Sequence, residues 1–345
     1  MPDAYQAGLI GYPVGHSRSP AVQQAAFDAL GINARYALWE TAPTELAARI
    51  VALRDPGMFG ANVTIPYKTA VLPLLDELAE TARLAGAVNT IVCATDKASG
   101  RVRLIGHNTD IAGLRRTLDE AGAWDETASA TRRVLLLGAG GAARAVLAVA
   151  RLEDAAVTVA ARRIEAGQAA IGVLTPRGEA GLATTPGRGG EGTENAEVAE
   201  TRGERGEDVL TPRPPRPAGR GGARGVGASG GRLDARDMVI ALDDEVRLVA
   251  ALEQTTLLVN TTPVGTNDRN AAPIALDLLA RLPAGAFVFD LVYSPPETAL
   301  VRAARSRGLR ASGGLPMLLY QGAEAFTLWT GQPAPVEVMR AALMR

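Results

Sequence analysis

The chain is poor in the residues on which several common chemistries depend. Its 345 residues include one cysteine and two histidines. The single cysteine, Cys93 in an apolar run, excludes an internal disulfide framework and reads as a small buried hydrophobe rather than a nucleophile. Two histidines, His16 and His107, are too few for a histidine-rich metal site. No metal is therefore expected, and acid–base work falls to lysine, aspartate or tyrosine. Charge of one sign is also missing: 36 basic residues face 37 acidic ones, a net charge of −1, so no global field draws the chain to nucleic acid. No stretch approaches the roughly 18 apolar residues of a membrane helix, and the N-terminus has no basic-then-apolar signal pattern. These absences lead us to expect a cytoplasmic protein that acts on a small molecule, with no membrane or nucleic-acid partner.

What is present is an apolar α/β chain. Hydrophobic residues make up 47% of it, and its length suits about two domains with a core each. The most informative stretch is Arg133 to Arg144. Val134 to Leu137 reads as a buried parallel strand, Gly138-Ala139-Gly140-Gly141-Ala142-Ala143 as a tight turn, and Val146, Leu147 and Ala150 as the start of a helical apolar face. A glycine-rich turn can be a turn and nothing more, but the strand before it and the helix after it favour a dinucleotide site. The glycines let the backbone approach a pyrophosphate, and the N–H groups at the helix start hold its charge.

The first hundred residues alternate strands with helices. A strand at Ala7–Ile10 runs into Gly11-Tyr-Pro-Val-Gly-His-Ser-Arg-Ser-Pro20, where Ser19 reads as an N-cap with Pro20 at the first helical position. Ser17 and Ser19 therefore sit at a strand-to-helix junction, where a hydroxyl caps the helix or donates to an anion. After a second strand–helix unit, the apolar strand around Ala61 ends in Asn62 and Thr64, and Pro66 opens a further helix. Lys68 would lie in its first turn, either as a solvated residue or as a base whose pKa the helix dipole lowers. Asn89 interrupts the apolar run Ala87–Ala94 and needs hydrogen-bond partners from backbone or ligand. Asp110 begins the helix after the strand around Leu104, as a plain first-turn carboxylate or as a partner for Lys68.

GYPVGHSRSP, ANVTIPYK, GAVNT, GHNTDIAG and GAGGAARA, in this order and at these spacings, resemble the shikimate dehydrogenase family. The resemblance implies a discontinuous N-terminal α/β substrate domain, residues 1–109 and 315–345, and a Rossmann-like doubly wound nucleotide-binding domain, residues 110–314. It also implies reversible NADPH-dependent reduction of 3-dehydroshikimate to shikimate, on the way to the aromatic amino acids, by a monomer or homodimer.

In the second half, the strand Ala156–Ala160 is followed by Ala161-Arg162-Arg163 rather than by an acidic ribose reader. Guanidinium groups there suit the 2′-phosphate of NADP, although two arginines at a helix start also serve as ordinary solvated residues. From Thr175 to Arg232 there are 15 Gly and 6 Pro in 58 residues, with an acidic block followed by an arginine block. This composition predicts a disordered insertion in a surface loop. Order resumes at Met238–Leu242, then Leu257–Asn260 with Thr261 after it, and Ala286–Leu291 with Tyr293 after it.

By resemblance, Lys68 and Asp110 form the catalytic pair, and Ser17 and Ser19 take the substrate carboxylate. Asn62, Thr64, Asn89, Tyr293 and Gln321 suit its hydroxyls and ring. The turn residues 138–142, Arg162, Arg163, Thr261, Gly314 and Met317 would meet the cofactor, Gly314 by leaving room for the nicotinamide. Two other readings stay open: a quinate or dual shikimate/quinate dehydrogenase using NAD, and a catalytically silent ligand-binding regulator.

Overall fold

The computed structural model describes residues 4–96, 98–124, 132–172 and 237–345. The insertion expected at 175–232 lies outside the described residues. The rest forms two six-stranded sheets flanked by helices. The first half contains strands β1 (Tyr5–Gly11), β2 (Ala34–Glu40), β3 (Met58–Val63), β4 (Glu77–Leu78), β5 (Thr90–Thr95) and β6 (Val102–His107). Its helices are α1 (Ser19–Ala29), α2 (Leu46–Ala52), α3 (Glu80–Ala85) and α4 (Thr109–Glu120). The sheet order is β2-β1-β3-β5-β6-β4. β1 runs parallel to β2 and β3, and β5 runs antiparallel to both β3 and β6.

The second sheet is wholly parallel. Its strands are β7 (Arg133–Leu137), β8 (Ala156–Ala161), β9 (Met238–Ala241), β10 (Leu257–Asn260), β11 (Phe287–Asp290) and β12 (Arg310–Ser312), in the order β12-β11-β10-β7-β8-β9. Helices α5 (Gly141–Leu152), α6 (Ile164–Gly172), α7 (Glu245–Leu252) and α8 (Ala299–Ser306) connect or flank them. Along β7, Val134 and Leu136 enter one core cluster while Leu135 and Leu137 enter the other. A strand buried on both faces needs this continuous apolar run, which is why it lacks polar alternation. The strand order reverses between β7 and β10, the crevice where ligands of doubly wound sheets bind.

Two C-terminal helices, α9 (Leu315–Thr330) and α10 (Val336–Leu343), return to the first sheet. Leu319, Tyr320 and Phe326 share a core cluster with Ala7, Leu9 and Tyr36, and Trp329 Nε1 donates to the Ile91 carbonyl at 2.9 Å. Helix α9 also lies against α4, where Gly113 makes a close crossing possible. A Cβ there would stand 2.7 Å from the backbone nitrogen of Gln321 and 3.0 Å from the Met317 carbonyl oxygen. None of the described helices is long and apolar enough to cross a membrane.

Three local expectations are corrected. Ser19 is not the N-cap of α1. The helix begins at Ser19 itself, Arg18 occupies the cap position, and the Ser19 N–H donates to Ser17 Oγ at 3.2 Å. No α-helix follows Pro66. Residues 65–71 form turns ahead of a short 3-10 turn at Leu72–Leu74. Two features forbid a helix: Pro73 has no N–H for the Thr69 carbonyl, and the Lys68 carbonyl is already taken by the Val88 N–H at 2.7 Å. The dipole argument for Lys68 therefore has no helix to act through. Finally, β5 starts at Thr90, so Asn89 stands just ahead of the strand rather than inside it.

Candidate active site

The site grows from the carboxyl ends of strands in the first sheet. Residues Thr64–Lys68 follow β3, Asn89 precedes β5, and Thr109 and Asp110 open α4 after β6. Three separate chain segments thus converge on one polar cluster inside an apolar layer. Lys68 Nζ donates to Asp110 Oδ2 at 2.5 Å, with the lysine side chain 16% and the aspartate side chain 9% exposed. At that burial the pair is only weakly screened by solvent. Asn89 holds the other carboxylate oxygen, its Nδ2 donating to Asp110 Oδ1 at 2.9 Å. The Asn89 oxygen in turn accepts the Thr109 N–H at 2.7 Å, so its amide orientation is set by backbone.

Farther along the same layer, Asn62 Nδ2 donates to Thr90 Oγ1 at 3.0 Å, and the Tyr36 hydroxyl donates to Asn62 Oδ1 at 2.8 Å. Ser17 Oγ and Ser19 Oγ are 3.1 Å apart. Ser17, Ser19, Asn62, Asn89, Lys68 and Asp110 are therefore brought into one region. Thr64 is half-buried at the end of β3 beside Gly11, where a Cβ would meet the threonine methyl at 2.4 Å. Gln321, on α9, faces this cluster: its Oε1 accepts from Asn89 Nδ2 at 3.4 Å while its Nε2 donates to the Leu318 carbonyl. Tyr36, Thr90 and Thr109 belong to the same network, although the sequence reading passed over them.

The glycine turn faces the cluster from the second sheet. Gly138 has φ +101°, which favours glycine, and a Cβ there would meet Thr261 Oγ1 at 2.9 Å. A Cβ on Gly140, in contrast, would meet nothing within 4 Å. Packing does not demand a glycine at 140, and its side-chain-free face leaves room for a phosphate at the start of α5. No side chain caps that helix, so its first N–H groups are offered to an anion. Lys68 leans on this turn: its Cδ would lie 3.8 Å from a Cβ on Gly141. Arg162 and Arg163 are exposed directly after β8.

Three further residues sit in the crevice wall. Thr261 Oγ1 donates to the Leu137 carbonyl at 2.8 Å, which leaves its hydroxyl only acceptor capacity. Tyr293 follows β11. Burial raises its pKa, and the positive charge of Arg18, from the first half, opposes the rise. Met317 is buried. A Cβ on Gly314 would fall 2.2 Å from the Leu291 carbonyl oxygen, so close backbone packing also demands a glycine here. The structure thus places the turn, Thr261, Gly314 and the Lys68–Asp110 pair around the β7/β10 crevice.

A doubly wound sheet with a glycine turn, opposed by a largely buried lysine–aspartate pair on a second α/β layer, defines a dinucleotide-dependent oxidoreductase. The chain belongs to the shikimate dehydrogenase family. Residues 9–91 match the shikimate dehydrogenase substrate binding domain, and residues 314–344 match the shikimate 5′-dehydrogenase C-terminal domain. The chain is 38% identical over 339 residues to the shikimate dehydrogenase (NADP(+)) of Symbiobacterium thermophilum, spanning 98% of this chain and 92% of that one. Among solved structures it resembles shikimate 5-dehydrogenase from Thermus thermophilus in complex with NADP(H) and shikimate. That match has 28% identity and a TM-score of 0.69, over 99% of each chain. It also resembles quinate dehydrogenase from Corynebacterium glutamicum in complex with NAD, with 25% identity and a TM-score of 0.72, again over 99% of each chain.

Proposed function

We propose that the chain is a cytoplasmic, NADP-dependent shikimate dehydrogenase that reversibly reduces 3-dehydroshikimate to shikimate as a monomer or homodimer. What carries this reading is the placement of the Lys68–Asp110 pair, 2.5 Å apart, against the glycine turn at Gly141. An acid–base group has to stand beside the nicotinamide when the hydroxyl proton and the hydride leave neighbouring atoms.

The bound dinucleotide supplies or accepts the hydride. Residues 138–142 and the start of α5 would hold its pyrophosphate, and Arg162 and Arg163 its 2′-phosphate. Thr261, Gly314 and Met317 would line the nicotinamide end. In the reductive direction Lys68 gives a proton from Nζ to the carbonyl oxygen as it becomes a hydroxyl, and in oxidation Lys68 takes it back. Asp110 keeps the ammonium aligned, and Asn89 keeps Asp110 in place. Ser17 and Ser19 hold the substrate carboxylate. Asn62, Thr64, Asn89, Tyr293 and Gln321 meet the hydroxyls and ring, since a polyol is selected by polar contacts that a wrong substrate leaves unmade.

The test is reduced-nicotinamide absorbance with shikimate or quinate against NADP or NAD, for the natural chain and for Lys68→Met. Turnover with shikimate and NADP is expected, falling about a hundredfold or more in the variant, roughly 3 kcal/mol of barrier, with NADP affinity retained. Preference for quinate with NAD would transfer the chain to the quinate reading. An undiminished Lys68→Met enzyme would remove the lysine from the chemistry.

A further inference from the structure

We propose that Tyr36 is a positioning residue for substrate binding: its hydroxyl, donating to Asn62 Oδ1, locks the Asn62 amide and ties the Ser17–Ser19 end of the site to the Lys68–Asp110 end. This rests on the shikimate reading above.

From Tyr36 to Asp110 the residues form one line of hydrogen bonds, with the serines at its far end. Ser17 Oγ donates to Ser19 Oγ at 3.1 Å, and the Ser19 side chain stands near enough to the Tyr36 hydroxyl to oppose the rise that burial imposes on its pKa. Tyr36 donates to Asn62 Oδ1 at 2.8 Å, Asn62 Nδ2 to Thr90 Oγ1 at 3.0 Å, and Thr90 Oγ1 to Asn89 Oδ1 at 3.1 Å. Asn89 Nδ2 then donates to Asp110 Oδ1 at 2.9 Å, and Lys68 closes the line on Oδ2. Tyr36, Asn62, Thr90 and Asn89 are all buried, so water cannot substitute for a missing link without cost.

The Asn62 amide is held at both ends: Tyr36 donates to its oxygen, and its Nδ2 donates to Thr90 Oγ1 and, at 3.4 Å, to the Asn89 carbonyl. The Tyr36 ring is fixed in the core against Trp329, with centroids 6.2 Å apart. Burial keeps its phenol protonated, so it always has one hydrogen to give. An asparagine amide can be turned by 180° with little change of shape, and its neighbours decide which end is oxygen. The Tyr36 donor on one side requires the oxygen there, which sends Nδ2 to Thr90. When an anion arrives at the serines and takes their hydroxyl hydrogens, Tyr36 keeps its own bond to Asn62. The spacing between the anion end and the proton-handling end is thereby held while substrate binds.

Tyr36→Phe removes the hydroxyl and leaves the ring. The KM for shikimate is expected to rise about tenfold, with kcat within about threefold and the NADP KM unchanged. Thr90→Val breaks the same line two links on, with a side chain of the same shape, and is expected to give the same split. Combined with Ser19→Ala, Tyr36→Phe should cost less than the sum of the two, because both act through one chain. Melting temperatures are followed for each variant. The inference is overturned if Tyr36→Phe and Thr90→Val leave the shikimate KM within about twofold, if the NADP KM rises in parallel, or if the double variant is additive. A natural chain that turns over no shikimate overturns the functional reading, and this inference with it.

Discussion

Lys68 Nζ and Asp110 Oδ2 stand 2.5 Å apart although neither residue belongs to the same strand–helix unit. Lys68 enters from turns whose carbonyl is held by Val88, and Asp110 enters from the first turn of α4, where Asn89 fixes its second oxygen. The pair is therefore set by three segments around the first sheet.

The arginines after β8 should decide the cofactor. Replacing Arg162 and Arg163 together by serine is expected to raise the NADP KM about tenfold or more and leave the NAD KM nearly unchanged, because only the 2′-phosphate loses its cations. Steady-state kinetics with both cofactors check this. Equal losses for both would assign the arginines to general folding.

Gly113→Ala should loosen the α4–α9 crossing. The new methyl would lie 2.7 Å from the Gln321 backbone nitrogen, so the helices must part. A loss of roughly 1–3 kcal/mol in urea unfolding is expected, with reduced turnover because Asp110 and Gln321 ride on the two helices. Unchanged stability would show that the helices slide apart freely.

Cys93 should be silent in the folded chain. Burial pushes its thiol up to about 12, and its Sγ donates to the Leu53 carbonyl. Labelling by a maleimide at about pH 8 is expected to be slow in buffer and fast in urea, since only the thiolate reacts well. Equal rates in both would contradict the burial.

His107 should impose an acid limit on stability. Burial lowers its pKa below the usual 6.5, with Glu77 opposing. The unfolded chain then binds the proton more readily than the folded one, so stability climbs with pH through the window just below 6.5 and is lost as pH falls through it. Urea midpoints measured across that window should slope upward, and His107→Gln should flatten the slope.

Much of the architecture is legible from local pattern. The run Val134–Leu137, the glycines after it and the helical face beyond lie within a dozen residues, and the parallel sheet follows from several such units. Helix α3 likewise stops at Gly86, which adopts φ +58° as a left-handed cap. Other features depend on partners distant in sequence. The segment after Pro66 looks helical until Val88 takes the Lys68 carbonyl. Ser19 resembles a cap until Ser17 accepts its N–H. Tyr36 fits the apolar alternation of β2, so its hydroxyl stays hidden in a core pattern; the signal available was a phenol needing a buried partner near two serines and an asparagine.

The α4–α9 contact also has a mechanical meaning. The N-terminal end of α9 is pinned to the second sheet, where the Gly314 N–H donates to the Val292 carbonyl, while its body is seated on the first. Helix α4 lies beside it and leads out of the first sheet toward β7. The sheets are thus coupled by two rods laid side by side. Such a coupling resists shear of one sheet past the other across the crevice.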